Sequence, residues 1–219
     1  KIKFLINKKY VNILVIKRSY IMLTLSGFAG VGKSTLVDML SEYSGDLNYT
    51  ESARYFLPLE DNLLSMSKDV ISLKCLLSDL NVLRFFMENK VNNIIFDRNL
   101  IDALCYLDMY YPHLKWDINL LSDHLNELCE QNNIKYIHKT SVLITHPTKE
   151  EHIKKIIEDP IRKYNSSVKS YMEDAKKWEE KFLDYNDKLE MICENFMVIG
   201  AYPEEKEGFK KIKNLHYFD

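Results

Sequence analysis

Glycine and proline are scarce in this chain of 219 residues, with six and five copies. That excludes collagen-like and low-complexity disordered architectures. Cysteine is rarer still. Cys75, Cys105, Cys129 and Cys193 stand far apart, with no C-x-x-C pair. Neither a zinc knuckle nor a disulfide scaffold fits that spacing. We read the four as reduced thiols, mostly in a core, in a cytoplasmic protein. The six histidines show no metal-ligand spacing. No apolar run approaches the roughly 18 residues that cross a bilayer, so no membrane partner is expected. Internal repeats are also lacking.

Acid is missing from one region. The first 21 residues hold six Lys and Arg and no Asp or Glu, and the first acid in the chain is Asp38. From Met22 onward the chain therefore carries −8, within an overall −2. A basic leader of this kind fits a transit peptide, or a segment that binds nucleic acid or an anionic membrane. A non-native extension over 1–21 is weighed above both, because "MLTLSGFAGVGKS" is a natural opening for a domain and the chain starts on Lys1. Residues 22–219 then form one domain, a size in the normal range.

Against its scarcity, the clustering of glycine is informative. Three of the six copies fall in Gly27-Phe28-Ala29-Gly30-Val31-Gly32-Lys33-Ser34, which matches G-x-x-x-x-G-K-[ST] at every fixed position. Glycines let successive N–H groups curl around an anion. A helix opening at Lys33 aims its positive end at the same point. Gly27 to Thr35 are therefore expected to hold a nucleotide, ATP. Lys33 reaches its terminal phosphates, and Ser34 ligates Mg²⁺.

Apolar runs of strand length alternate with helical patterns. Strands are expected over 21–26, 47–52, 92–97, 139–145 and 195–201. Helices are expected from Lys33 to Tyr43, over 69–89 (long and largely buried), 99–111 and 116–133, the last with an Asn132–Asn133 C-cap. A short helix from Thr148 to Glu158 opens on "TKEE", a capping box. A long charged helix runs from Arg162 to about Glu194. A last helix carries Pro203 in its first turn. Five strands separated by helices predict an α/β fold, a five-stranded parallel sheet with helices on both faces, and a small lid near 147–165. Ligands of such sheets sit beyond the carboxyl ends of the strands.

Three further groups stand at those ends. Asp97 closes the hydrophobic "NNIIFD", the position from which a carboxylate reaches Mg²⁺ directly or through water. Arg98 follows, suited to bind the acceptor substrate or its phosphate. Glu51 and Arg54, in "ESAR", suit a base or sugar ligand and an acceptor phosphate. Arg162, with Lys163, opens the charged helix and suits a lid residue that stabilises charge in transfer. His146 is read as a loop histidine.

With "SGFAGVGKST", "ESAR" and "FDRNLIDALCY" in place, the chain resembles the nucleoside and nucleotide kinase group of P-loop proteins. Its Asp-Arg pair is similar to that of thymidylate kinases and deoxynucleoside kinases. The wording of "ESAR" and "DRNLIDALCY" also resembles AAA-like ATPases related to nicotinamide riboside kinase. The resemblance covers residues 21 to about 106 by motif. It implies ATP- and Mg²⁺-dependent phosphoryl transfer to a small nucleoside or nucleoside monophosphate. Two features depart from the group: the stretch after Arg98, and a lid with no dense arginine cluster. The rival is a regulatory P-loop ATPase or GTPase switch without a small-molecule acceptor. No N-K-x-D guanine signature is present, and the −8 body argues against a nucleic-acid groove. A homodimer is compatible with the sequence.

Overall fold

Residue pairing across β1 (Ile21–Ser26) organises the molecule. In the computed structural model, which describes residues 21–44, 47–49, 68–91, 94–113, 117–159, 167–201 and 204–217, β1 lies between β3 (Ile94–Asp97) and β4 (His138–Ile144). Outside them lie the three-residue β2 (Leu47–Tyr49) and β5 (Cys193–Ile199), giving the order β2-β3-β1-β4-β5. All pairings are parallel. Central strands of such a sheet are covered on both faces, so they read as unbroken apolar runs. Every residue of β3 is buried, as are Leu23 to Ser26 of β1.

Helices flank the sheet. They are α1 (Lys33–Ser44), α2 (Lys68–Glu88), α3 (Leu100–Tyr110), α4 (Ile118–Gln131), α5 (Glu150–Ile157), α6 (Val168–Lys188) and α7 (Lys206–Tyr217). The α3 helix packs against α2 and α6, and α1 against β3 and β2. One core joins Leu25, Leu36, Ile95, Leu104, Val142 and Trp178, all 1% exposed or less. Cys105 and Cys129 are buried thiols, and Cys193 is half-buried. None of the described helices is long and apolar enough to cross a membrane.

Several expectations need correction. The α2 helix is amphipathic rather than largely buried. Leu76, Leu83 and Met87 enter the core, whereas Leu77 and Phe85 face outward at 52% and 57% exposure. The "TKEE" capping box does not form. Lys149 is the N-cap of α5 and makes no side-chain cap bond, because the Thr148 hydroxyl donates to Glu204 instead. The charged helix ends at Lys188, where Leu189 leaves helical geometry and a 3₁₀ turn follows (Glu190–Ile192). β5 therefore starts at Cys193, two residues before the expected strand. The last helix, α7, begins at Lys206, and Pro203, expected in its first turn, lies outside the described residues. Residues 1–20 lie outside the described residues, as do 50–52 of the second expected strand.

Candidate active site

Between the end of β1 and the start of α1, Gly27, Gly30 and Gly32 have φ of 153°, 90° and 92°. Two of them are also sterically confined. A Cβ at Gly27 would meet the Ile144 carbonyl oxygen at 2.5 Å, and one at Gly30 would collide with the Ile156 side chain of α5. Only glycine fits both positions. The side chains of Phe28 and Val31 turn into the core, so what these residues can offer a ligand is backbone. Ala29 is half-buried, and Thr35 is exposed in the first turn of α1. That turn has the unpaired N–H groups of a helix start.

Lys33 is buried. Its Nζ donates to the carbonyls of Gly27 at 2.7 Å and Phe28 at 3.0 Å, which holds the ammonium against the loop. Parallel pairing sets Leu25 opposite Asp97 and so brings the carboxylate to the loop. Ser34 Oγ donates to Asp97 Oδ2 at 2.6 Å. Asp97 is only 2% exposed, and its Oδ1 has no hydrogen-bond partner among the described residues. A buried carboxylate oxygen left in this state is costly without a cation or water beside it. One carboxylate with one hydroxyl is the protein donor set typical of Mg²⁺, which keeps water and phosphate oxygens as its other ligands. The residues therefore fit that ion.

Arg98 adopts φ 83°, a strained conformation for a non-glycine residue. Its backbone N–H donates to Leu25 O at 2.9 Å. The guanidinium turns toward the loop. Nη1 lies 3.5 Å from the Gly27 carbonyl, 3.3 Å from Asp102 Oδ1 and 3.4 Å from the Tyr106 hydroxyl, and the group covers the Tyr106 ring.

No sequence motif marks Asp102 as a site residue. It is 1% exposed. It accepts from Ser26 Oγ at 2.6 Å, from the Asn99 N–H at 3.0 Å and from the Gly27 N–H at 3.5 Å. Burial pushes its carboxyl above the ordinary carboxylate range, against the charges of Arg98 and Lys33 and the Ser26 and Asn99 hydrogen bonds. Part of its role was legible, because Asn99 and Asp102 form a capping box for α3. Its reach to β1 is tertiary and leaves no local signal.

Two helices brace the loop from outside. The Tyr171 hydroxyl of α6 donates to the Ala29 carbonyl at 2.7 Å. Phe28 packs on Tyr106, Tyr171 and Trp178, with ring centroids 5.4 to 6.4 Å away. The α5 helix contributes Ile156, and its start is held by Glu204. That carboxylate accepts from the Thr148 N–H and hydroxyl, from the Lys149 N–H and from His152 Nδ1. Burial alone would raise the Glu204 pKa; these bonds outweigh it and bring the value down to about 2. His146 lies beyond the end of β4 as expected, with both its backbone N–H and Nδ1 on Glu179. Glu51, Arg54 and Arg162 lie outside the described residues.

The fold matches solved structures along most of the chain. A deoxyadenosine kinase from M. mycoides with the products dCMP and a flexible dCDP bound is 17% identical, with a TM-score of 0.54 over 88% of this chain and 96% of the other. The same kinase with bound dATP is 19% identical, again at 0.54. The NadR protein in complex with NR is 15% identical at a TM-score of 0.55, over 90% of this chain and 50% of its own. This chain thus spans about half the length of NadR. The chain has the fold of P-loop nucleoside kinases. No protein-family model and no curated protein matches it.

Proposed function

We propose that the protein is a kinase that transfers the terminal phosphoryl group of ATP to a small nucleoside or nucleoside monophosphate, with Mg²⁺. The observation that carries this reading is the Ser34–Asp97 pair beside Lys33, at the carboxyl end of a parallel sheet. The likeness in fold to a deoxyadenosine kinase over nearly its whole length supports the acceptor class. Gly27 turns the chain into the loop, the N–H groups from Phe28 to Ser34 bind the phosphates, and Lys33 offsets charge on the transferred group. Ser34 and Asp97 would hold Mg²⁺, which supplies charge neutralisation between the phosphates when bound. Arg98 is assigned to the acceptor's phosphate, from its position directly after Asp97. Glu51 is assigned as base or sugar ligand, Arg54 as acceptor ligand and Arg162 as lid residue, each from its sequence position. Phosphoryl transfer is mostly positioning and charge stabilisation, so these groups suffice in kind.

The test is ADP release from ATP and Mg²⁺ across a panel of nucleosides and monophosphates. Stimulation by one acceptor class is expected. Release indifferent to every acceptor would instead indicate a nucleotide switch. Lys33→Ala is expected to abolish transfer while the circular dichroism spectrum stays that of the wild type; wild-type turnover in this variant would remove the assignment.

A further inference from the structure

Asp102 has no part in the transfer described above, yet four groups converge on it. Ser26 precedes the phosphate loop, Gly27 opens it, Asn99 caps α3 and Arg98 follows the metal-site carboxylate. Both polar groups of Gly27 are consequently engaged. Its N–H faces Asp102 Oδ1, while its carbonyl accepts from Lys33 and faces Arg98. Gly27 is also the position where the backbone leaves β1, at φ 153°, so its orientation sets how the chain enters the loop. A helix cap alone would occupy only one oxygen. Here Oδ2 serves Ser26 and the cap, and Oδ1 is turned to Gly27 and Arg98.

We propose that Asp102 is a positioning residue that locks the first peptide of the loop and the Arg98 guanidinium into one arrangement, and thereby sets affinity for the nucleoside triphosphate. The inference rests on the nucleotide reading of the loop, but not on the identity of the acceptor.

The geometry selects the variants. In Asp102→Asn, the remaining carbonyl oxygen can still accept from Ser26 and Asn99. The new NH₂ then faces the Gly27 N–H and Arg98, donor against donor. Ser26→Ala removes one anchor of the Asp102 carboxyl group and leaves that group in place. Binding of a fluorescent N-methylanthraniloyl ATP with Mg²⁺ is measured alongside thermal unfolding. Asp102→Asn is expected to bind roughly tenfold more weakly, and Ser26→Ala about threefold, the scale of one or two hydrogen bonds. The double variant should be no weaker than Asp102→Asn, since both act through one carboxylate. In turnover, the loss in Ser26→Ala should fall on the KM for ATP rather than on kcat. Variants that melt earlier but bind with wild-type affinity when folded would make Asp102 a structural cap only, and the proposal would fall. Should Asp102→Asn fail to fold, unchanged affinity in Ser26→Ala overturns it equally. If the wild type binds no nucleotide, the functional reading and this inference fall together, whereas binding by the wild type with unaltered variants sinks this inference alone.

Discussion

Tyr171 makes the cleanest single-atom contact with the loop. Its hydroxyl reaches the Ala29 carbonyl from a ring that is 1% exposed. Tyr171→Phe keeps the ring against Phe28 and removes the hydroxyl that donates to Ala29. One net hydrogen bond is worth about 1 kcal/mol, so nucleotide affinity should fall about fivefold while the melting temperature moves only a few degrees. Calorimetric titration with ATP and Mg²⁺ checks this; unchanged affinity would mean that Ala29 needs no brace. At the same scale, much of the candidate site was legible in the sequence. Gly27, Lys33 and Ser34 stand at fixed positions of one phosphate-binding motif, whereas Asp97 was marked only by ending a hydrophobic strand. Asp102, Tyr171 and Ile156 were invisible as site residues, because each acts through a contact between segments distant in sequence.

At the level of elements, α5 depends on a carboxylate it does not carry. The "TKEE" sequence predicts a cap of its own for the helix, whereas Glu204, beyond β5, accepts from the backbone at its start. A capping signal in sequence cannot register a competitor arriving from elsewhere in the fold. Negative charge suits this end of a helix, where the dipole is positive. Glu204→Gln should lower stability by about 1 kcal/mol and weaken nucleotide binding through Ile156, which lies on Gly30. Urea unfolding checks the first effect and fluorescent-nucleotide titration the second. The pH dependence has a definite sign. Glu204 sits at about 2, below its usual 4.5, so its stabilisation is complete above pH 4.5 and is lost as pH falls toward 2. The wild-type and Glu204→Gln curves should converge over that window.

For the whole molecule, the alternation of apolar runs made the parallel sheet legible, since strands covered on both faces leave little else to mark them. Strand order was not legible, because it follows from which strands pair in space. One buried group makes the sheet sensitive to acid. His138, at the start of β4, is fully buried against Phe96, and neither ring nitrogen has a partner among the described residues. Burial drives its pKa down from 6.5 to about 3. The folded protein therefore binds fewer protons than the unfolded chain between those values. Its stabilising contribution is present above pH 6.5 and is lost as pH falls toward 3, at about 1.4 kcal/mol per unit of difference. Melting temperatures across pH 7 to 4 should fall in the wild type and fall less steeply in His138→Phe. Parallel slopes would exclude His138 as the source.

The stacking of Trp178 near Phe28 has an optical consequence. The indole is wholly buried, its ring centre is 6.4 Å from Phe28 and it stacks on Phe182 at 5.3 Å. Only one other tryptophan, Trp116, occurs in the sequence. In a Trp116→Phe background, the emission of a single indole would report the state of the phosphate loop. Rearrangement around Phe28 would change its quantum yield without any attached dye, so the protein carries its own fluorophore beside the site whose occupancy is in question.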